Sequence, residues 1–176
     1  MRSYNSDMPA DVMIPVSEYL GHTYDPDCEY VDGILLERNA GEIGHSDAQT
    51  ALSVFARTRL LAFWSGVEVR VQVSANRYRV PDVTIVRGRK PAGRIITAPP
   101  EVAVEVLSPD DRASDIQDKI DDYLGFGIAC VWVIRTDTRR AWIHTNDGSH
   151  EAKDGMLRNP AGDIAIPLAV LFRDSP

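Results

Sequence analysis

The sequence predicts an α/β (α+β) fold with a mixed sheet, and three observations carry that prediction. Two short runs, Val102–Leu107 and 130–134, are almost solidly apolar and rich in β-branched residues, as in strands covered on both faces. Two longer stretches, 45–64 and 115–125, repeat apolar residues at helical spacing. Extended segments outnumber helical ones along the chain, which fits a sheet with helices against it rather than a bundle.

The chain opens with a polar stretch, 1–14, read as a flexible lead-in, and the segment 15–176 is long enough to form one domain. Pro15 starts a short helix over 16–20 that Gly21 ends. Tyr30-Val31 and Ile34-Leu35-Leu36 are extended and flank Asp32-Gly33, a strong two-residue hairpin signal. Asn39-Ala40-Gly41 is a second turn. The helix over 45–64 has Ser46 as N-cap with Gln49 completing a capping box, and apolar positions at Leu52, Phe55, Ala56, Leu60 and Phe63.

Residues 67–73 alternate apolar and polar side chains, the pattern of a half-buried strand. A turn at Ala75-Asn76 leads to a strand over 78–86 that contains Pro81. Proline lacks a ladder donor, so it marks an edge, a bulge or a strand start. The basic stretch 87–94 is a loop, and its Arg87, Arg89, Lys90 and Arg94 read as solvated, with contact to phosphate as the alternative. After the apolar run at Val102–Leu107 come a loop, a helix capped by Ser114 or Asp115 with a stripe of Ile116, Ile120 and Leu124, and the strand 130–134. A turn at Asp137-Thr138 pairs that strand with 140–145. A polar hairpin or loop follows over 146–160, and a strand with a short helix closes the chain over 164–172.

Composition sets the outer bounds on function. Apolar residues make up 44% and charged residues 26%, ordinary for a globular protein. No window is apolar enough to cross a membrane, and the N-terminus lacks the apolar core of a secretory signal. The two cysteines, Cys28 and Cys130, form neither a disulfide framework nor a zinc pattern, so a reduced cytoplasmic setting is expected. The net charge of -7 argues against strong sequence-independent nucleic-acid binding, unless a local basic patch or a divalent cation supplies the contact.

The chemistry centres on Glu105, a carboxylate inside an apolar strand. Burial costs it several kcal/mol, on the order of what a cation, a metal or good donors must offset. Asp82 follows Pro81 inside another apolar run, and consecutive strands are often neighbours, so the two carboxylates can converge. Two carboxylates in a dry site repel, and a divalent cation resolves that repulsion. Mg²⁺ takes one or two protein carboxylates and keeps water and phosphate oxygens in its other positions. Lys119, on the following helix, could orient a nucleophile or neutralise developing charge. Asp115, Lys119 and Tyr123 lie four apart on one helix face.

Each of these residues also has a structural reading. Asp82 can be a bulge carboxylate bonded to backbone N–H groups. Glu105 can be half of a buried ion pair with Arg79 or Lys119. Lys119 can be a solvated residue paired with Asp115 or Asp118, and His45 a structural residue at a helix start. Asp25, Asp27 and Glu29 alternate, but the surrounding loop lacks the glycine and terminal glutamate of an EF-hand. A metal-free carboxylate-pair hydrolase needs an open, aromatic-lined cleft, and aromatics are only 7% here. No nucleophile elbow, P-loop or zinc-protease helix is present.

Taken together, Val80-Pro81-Asp82-Val83, the stretch PEVAVEVLSP at 100–109, Lys119-x-x-x-Tyr123-x-x-x-Gly127 and Val131-Trp132-Val133 resemble the Uma-type family of restriction-endonuclease-like proteins, within the PD-(D/E)XK nuclease superfamily. The resemblance extends to Glu29 with Val31-Asp32-Gly33 and to His45, and spans roughly 15–172. It implies a restriction-endonuclease-like mixed central β-sheet flanked by helices. It also implies Asp82 and Glu105 as metal carboxylates, Lys119 as the catalytic lysine, and Glu29 and His45 lining the same site. The superfamily's usual lysine stands two residues after the glutamate, where this chain has Leu107, so the lysine would come from the next helix.

The expectation is therefore a Mg²⁺- or Mn²⁺-dependent endonuclease acting on DNA, with a homodimer as the assembly that would let two sites cut two strands. The alternative is a nuclease-fold module that no longer cleaves and serves in binding or assembly, suggested by the acidic charge and the displaced lysine.

Overall fold

The computed structural model describes residues 13–39, 41–108 and 111–172. Most of the expected lead-in at 1–14, Ala40 of the expected turn and Pro109 of the family pattern lie outside the described residues.

Helix α1 (Val16–Gly21) starts after Pro15 and packs by Tyr19 onto a hairpin of β1 (Cys28–Val31) and β2 (Ile34–Glu37). Asp32 and Gly33 form the turn with φ of 51° and 98°, the pair of positive angles that a two-residue hairpin of this kind requires. Helix α2 (Ile43–Arg59) follows, then β3 (Phe63–Val67), β4 (Val71–Ser74), β5 (Arg77–Arg79), β6 (Val83–Arg87) and β7 (Val102–Leu107). Helix α3 (Ala113–Phe126) leads to β8 (Cys130–Arg135), β9 (Arg140–Thr145) and β10 (Gly148–Glu151). The small pair β11 (Met156–Arg158) and β12 (Ala165–Pro167) and a 3₁₀ turn (Leu168–Val170) end the described chain.

The central sheet has six strands in the order β10-β9-β8-β7-β6-β3. Only β7 and β8 run parallel, joined through α3, and the other neighbours are antiparallel, so the sheet is mixed. Helices cover both faces. Val102, Val104 and Val106 of β7 pack with Val83, Ile85 and Trp132 against Ala48, Leu52 and Ala56 of α2. Ala103, Val131 and Val133 pack against Ile120 and Tyr123 of α3. Side chains alternate along a strand, so Glu105 shares the α3 face with Ala103. A second, antiparallel sheet of order β2-β1-β5-β4 stands beside the first and buries Tyr19, Tyr24, Tyr30 and Tyr78.

Four sequence expectations need correction, each for a local reason. The strand expected over 67–73 is two strands in two sheets, broken where Glu68 takes a φ of 51°. The strand expected over 78–86 is also two, β5 and β6, separated by Val80-Pro81-Asp82, so the proline sits where the chain passes from one sheet to the other. Helix α2 begins at Ile43 with Glu42 as N-cap, which leaves Ser46 inside its first turns, and Phe63 belongs to β3. Helix α3 begins at Ala113 with Arg112 as N-cap, so neither Ser114 nor Asp115 caps it; Gly127, at a φ of 102°, ends it.

Candidate active site

The break at Val80-Pro81-Asp82 matters because it delivers a carboxylate to the middle strand. Backbone pairing of β6 with β7 runs to Val83 opposite Val104. Beyond that pair the Asp82 side chain takes over, its Oδ2 accepting the amide of Val106 at 2.7 Å. His45 Nε2, from the first turn of α2, lies 3.2 Å from the same oxygen. Arg38 Nη2, just past β2, donates to Oδ1 at 3.1 Å. Gln49 is the residue expected to close a capping box. It instead donates to the Asp82 carbonyl at 3.1 Å and to Glu68 at 3.3 Å. The bond to Asp82 lifts the His45 imidazole above its ordinary pKa, against the opposing effect of burial.

Glu105 points from β7 toward α3 and is only 3% exposed. Lys119 and Tyr123, one helical turn apart on α3, both reach it. Lys119 Nζ is 3.0 Å from Oε2, and the Tyr123 hydroxyl donates to Oε1 at 2.6 Å. Burial pushes the Glu105 carboxyl up to about 7; Lys119 opposes that rise, while the charges of Asp82 and Glu29 add to it. Burial alone would favour a neutral Lys119, but Glu105 and Glu29 outweigh it and hold the ammonium well above the usual lysine range. Lys119 is therefore a fixed cation at neutral pH. It can orient or neutralise, and it has no free lone pair with which to take a proton.

Glu29, on β1, closes the cluster. Its Oε1 accepts the amide of Val80 at 2.9 Å and lies 3.2 Å from Lys119 Nζ; its Oε2 accepts from Arg79 Nη1 at 2.9 Å. Burial would raise this carboxyl, but Lys119, Arg79 and the Val80 amide hold it below the usual value. Arg79 thus serves Glu29 rather than Glu105. It also donates to Asp122 on α3 at 2.7 Å, and Arg77 joins Asp122 to Asp32 at the hairpin turn. Lys119 turns to Glu105 and Glu29 instead of Asp115 or Asp118. Leu107, where the superfamily lysine would stand, packs against the apolar cluster under α3.

All five residues singled out in the sequence, Glu29, His45, Asp82, Glu105 and Lys119, line one cleft of about 820 Å³. Sequence reading missed Arg38 and Gln49, and gave Arg79 a different partner. Among the described residues, no three His, Cys, Asp or Glu side chains form a ready metal cage. Of the basic stretch 87–94, Arg87 ends β6 and is paired with Glu101 and Asp163 at 2.7 Å each.

The family described as "Uma2: Putative restriction endonuclease" matches residues 16–170. Among solved structures, the chain is similar to the crystal structure titled as "a putative nuclease belonging to DUF820" from Anabaena variabilis. The TM-score is 0.75 at 19% identity, covering 90% of this chain and 97% of that one, a likeness that establishes the fold. No curated protein matches.

Proposed function

The chain belongs to the Uma2 family, and from that premise we propose that it is a Mg²⁺- or Mn²⁺-dependent endonuclease that hydrolyses phosphodiester bonds in DNA. The observation that carries the proposal is the position of Lys119, a fixed ammonium bridging Glu105 and Glu29 in the cleft that also holds Asp82.

The donor set fits a hard divalent cation. Asp82 and Glu105 offer carboxylate oxygens. Burial raises the Glu105 carboxyl first, and the charges of Asp82 and Glu29 add to it, a repulsion that a cation placed between them would lessen. With no three-residue cage among the described residues, the ion would rest on those two carboxylates and complete its shell with water and phosphate oxygens, as Mg²⁺ commonly does. When bound, such an ion acidifies a coordinated water and stabilises charge on the phosphate.

The chain's own residues do the rest. Lys119, kept protonated, offers N–H donors to the attacking water or to the oxygens that gain charge in the transition state. Glu29, fixed by Arg79 and Val80, holds the ammonium from one side, and Glu105 holds it from the other. The Tyr123 hydroxyl locks the Glu105 rotamer. His45 steadies Asp82 and, once protonated, adds positive charge beside it. A homodimer and a reducing cytoplasmic setting belong to the same reading; sedimentation tests the first, and the free, buried Cys28 and Cys130 suit the second.

The test is plasmid nicking by the purified protein with Mn²⁺. Nicking that Glu105→Ala and Lys119→Ala both abolish supports the reading, and wild-type-like nicking by both variants sinks it. One observation favours a second reading, a non-cleaving binding or assembly module. Every Asp82 and Glu105 oxygen already has a partner: Val106, His45 and Arg38 on one side, Lys119 and Tyr123 on the other. That reading predicts no change in melting with Mn²⁺, whereas a specific site at 100 times Kd adds about 2.7 kcal/mol. A melting shift that disappears in Asp82→Asn excludes it.

A further inference from the structure

Arg38 is a cleft cation that the proposed chemistry leaves unused. Its backbone is fixed by a hydrogen bond from its N–H to the Asp27 carbonyl at 3.0 Å, and its side chain is only 16% exposed. The guanidinium faces three carboxylates. Nη2 is 3.1 Å from Asp82 Oδ1, while Nη1 is 3.5 Å from Asp27 and 3.8 Å from Glu68. Only the Asp82 contact is a hydrogen bond, so several of the five N–H donors have no close acceptor among these carboxylates.

The two oxygens of Asp82 are not equivalent. Oδ2 is held by the Val106 amide and His45, whereas Oδ1 is held by Arg38. Any second cation arriving at Asp82 meets Arg38 at Oδ1, and like charges at that range repel. A guanidinium moved off a carboxylate inside a cleft needs another anion, and its planar fork matches a phosphate.

We propose that Arg38 is an exchangeable counter-ion. It competes with a divalent cation for Asp82 Oδ1, and its freed fork binds a phosphate of the substrate backbone in the same cleft. This rests on the nuclease reading above. It adds a phosphate-binding residue from outside the carboxylate–lysine set, and a coupling in which substrate phosphate favours cation uptake.

Three full-length proteins test it: wild type, Arg38→Gln and Arg38→Lys. Mn²⁺ binding is measured by calorimetry without nucleic acid. Binding of a short fluorescein-labelled DNA duplex is measured by anisotropy, with Ca²⁺ in place of Mn²⁺ to hold off cleavage. Arg38→Gln should bind Mn²⁺ about fivefold more tightly, or better, as expected when a competing charge is removed. It should bind the duplex about tenfold more weakly, the loss of a charge-assisted contact. A merely structural role would weaken both.

Arg38→Lys keeps the charge without the fork. It should hold Mn²⁺ near the wild-type affinity and still lose duplex binding. Unchanged or weaker Mn²⁺ binding in Arg38→Gln, or unchanged duplex binding in either variant, overturns the proposal. Should Arg38→Gln fail to fold, Arg38→Lys decides it by its duplex affinity. Wild-type protein that takes up neither Mn²⁺ nor duplex overturns the nuclease reading itself, and the exchange with it.

Discussion

Lys119, on helix α3, stands 3.0 Å from Glu105, on strand β7, although Leu107 occupies the position, two residues after the glutamate, that the resemblance to PD-(D/E)XK nucleases would give to a lysine. Supplying the cation from the helix frees β7 to pack a half-buried Leu107 against the apolar cluster under α3. It also lets the ammonium meet Glu29, 3.2 Å away on another sheet. Removing Lys119 therefore exposes two buried carboxylates to each other. Lys119→Met should destabilise the fold by about 3–5 kcal/mol, the usual result of breaking a buried pair from one side. Urea unfolding at neutral pH measures this.

Glu105 also sets a pH dependence. Its folded pKa, about 7, lies above its ordinary value of 4.5, so between those values the native state binds more protons than the unfolded state. This contribution is present below the unfolded pKa and is lost as pH rises toward 7. His45, also raised, loses stability in the same sense as pH rises past its ordinary value, while the lowered Glu29 contributes above its unfolded pKa and is lost only as pH falls further. Wild-type stability should therefore decline from pH 5 to pH 8, with up to about 3 kcal/mol of that from Glu105. Glu105→Gln should flatten the curve, and melting curves across that range check it.

The hydroxyl of Tyr123 is the only neutral donor described on the Glu105 carboxylate. Tyr123→Phe leaves the ring in place and removes that bond, at a cost of about 1–3 kcal/mol for a buried acceptor left short of a partner. Denaturant midpoints with an unchanged m-value would register the loss.

Arg79, 4% exposed, links Glu29 to Asp122. Arg79→Met should cost about 3–5 kcal/mol. Adding Glu29→Gln should restore part of that, because the stranded charge is then gone. A double-mutant cycle gives the coupling, expected between about 0.5 and 3 kcal/mol.

Much of this site was legible in the sequence. Glu105 announced itself as a charge in an apolar strand, and Asp82 as a carboxylate after a strand proline. The four-residue spacing of Lys119 and Tyr123 put both on one face of α3. The solid runs at β7 and β8 also read as covered strands, because a strand buried on both faces has no polar alternation to obscure it. The sheet switch at Val80-Pro81-Asp82 was not legible, since apolar residues on both sides continue the strand pattern. The helix starts were missed because Glu42 and Arg112 hold the N-cap positions without a side-chain bond, while better capping residues lie just inside the helices. Arg38, and the pairing of Arg79 with Glu29 in place of Glu105, were hidden for another reason. Their partners lie 44 and 50 residues away, and no local pattern encodes such a contact.

In the proposed function, helix-borne Lys119 and strand-borne Glu105 form one catalytic unit with Asp82. Plasmid nicking in Mn²⁺ by wild type, Lys119→Met, Glu105→Gln and the double variant tests it most directly, with each protein first shown to be folded. Wild type should nick, either single variant should lose at least about 10²-fold, and combining the two should cost nothing further, as for groups that act as a unit. Cleavage by Lys119→Met at the wild-type rate would contradict it.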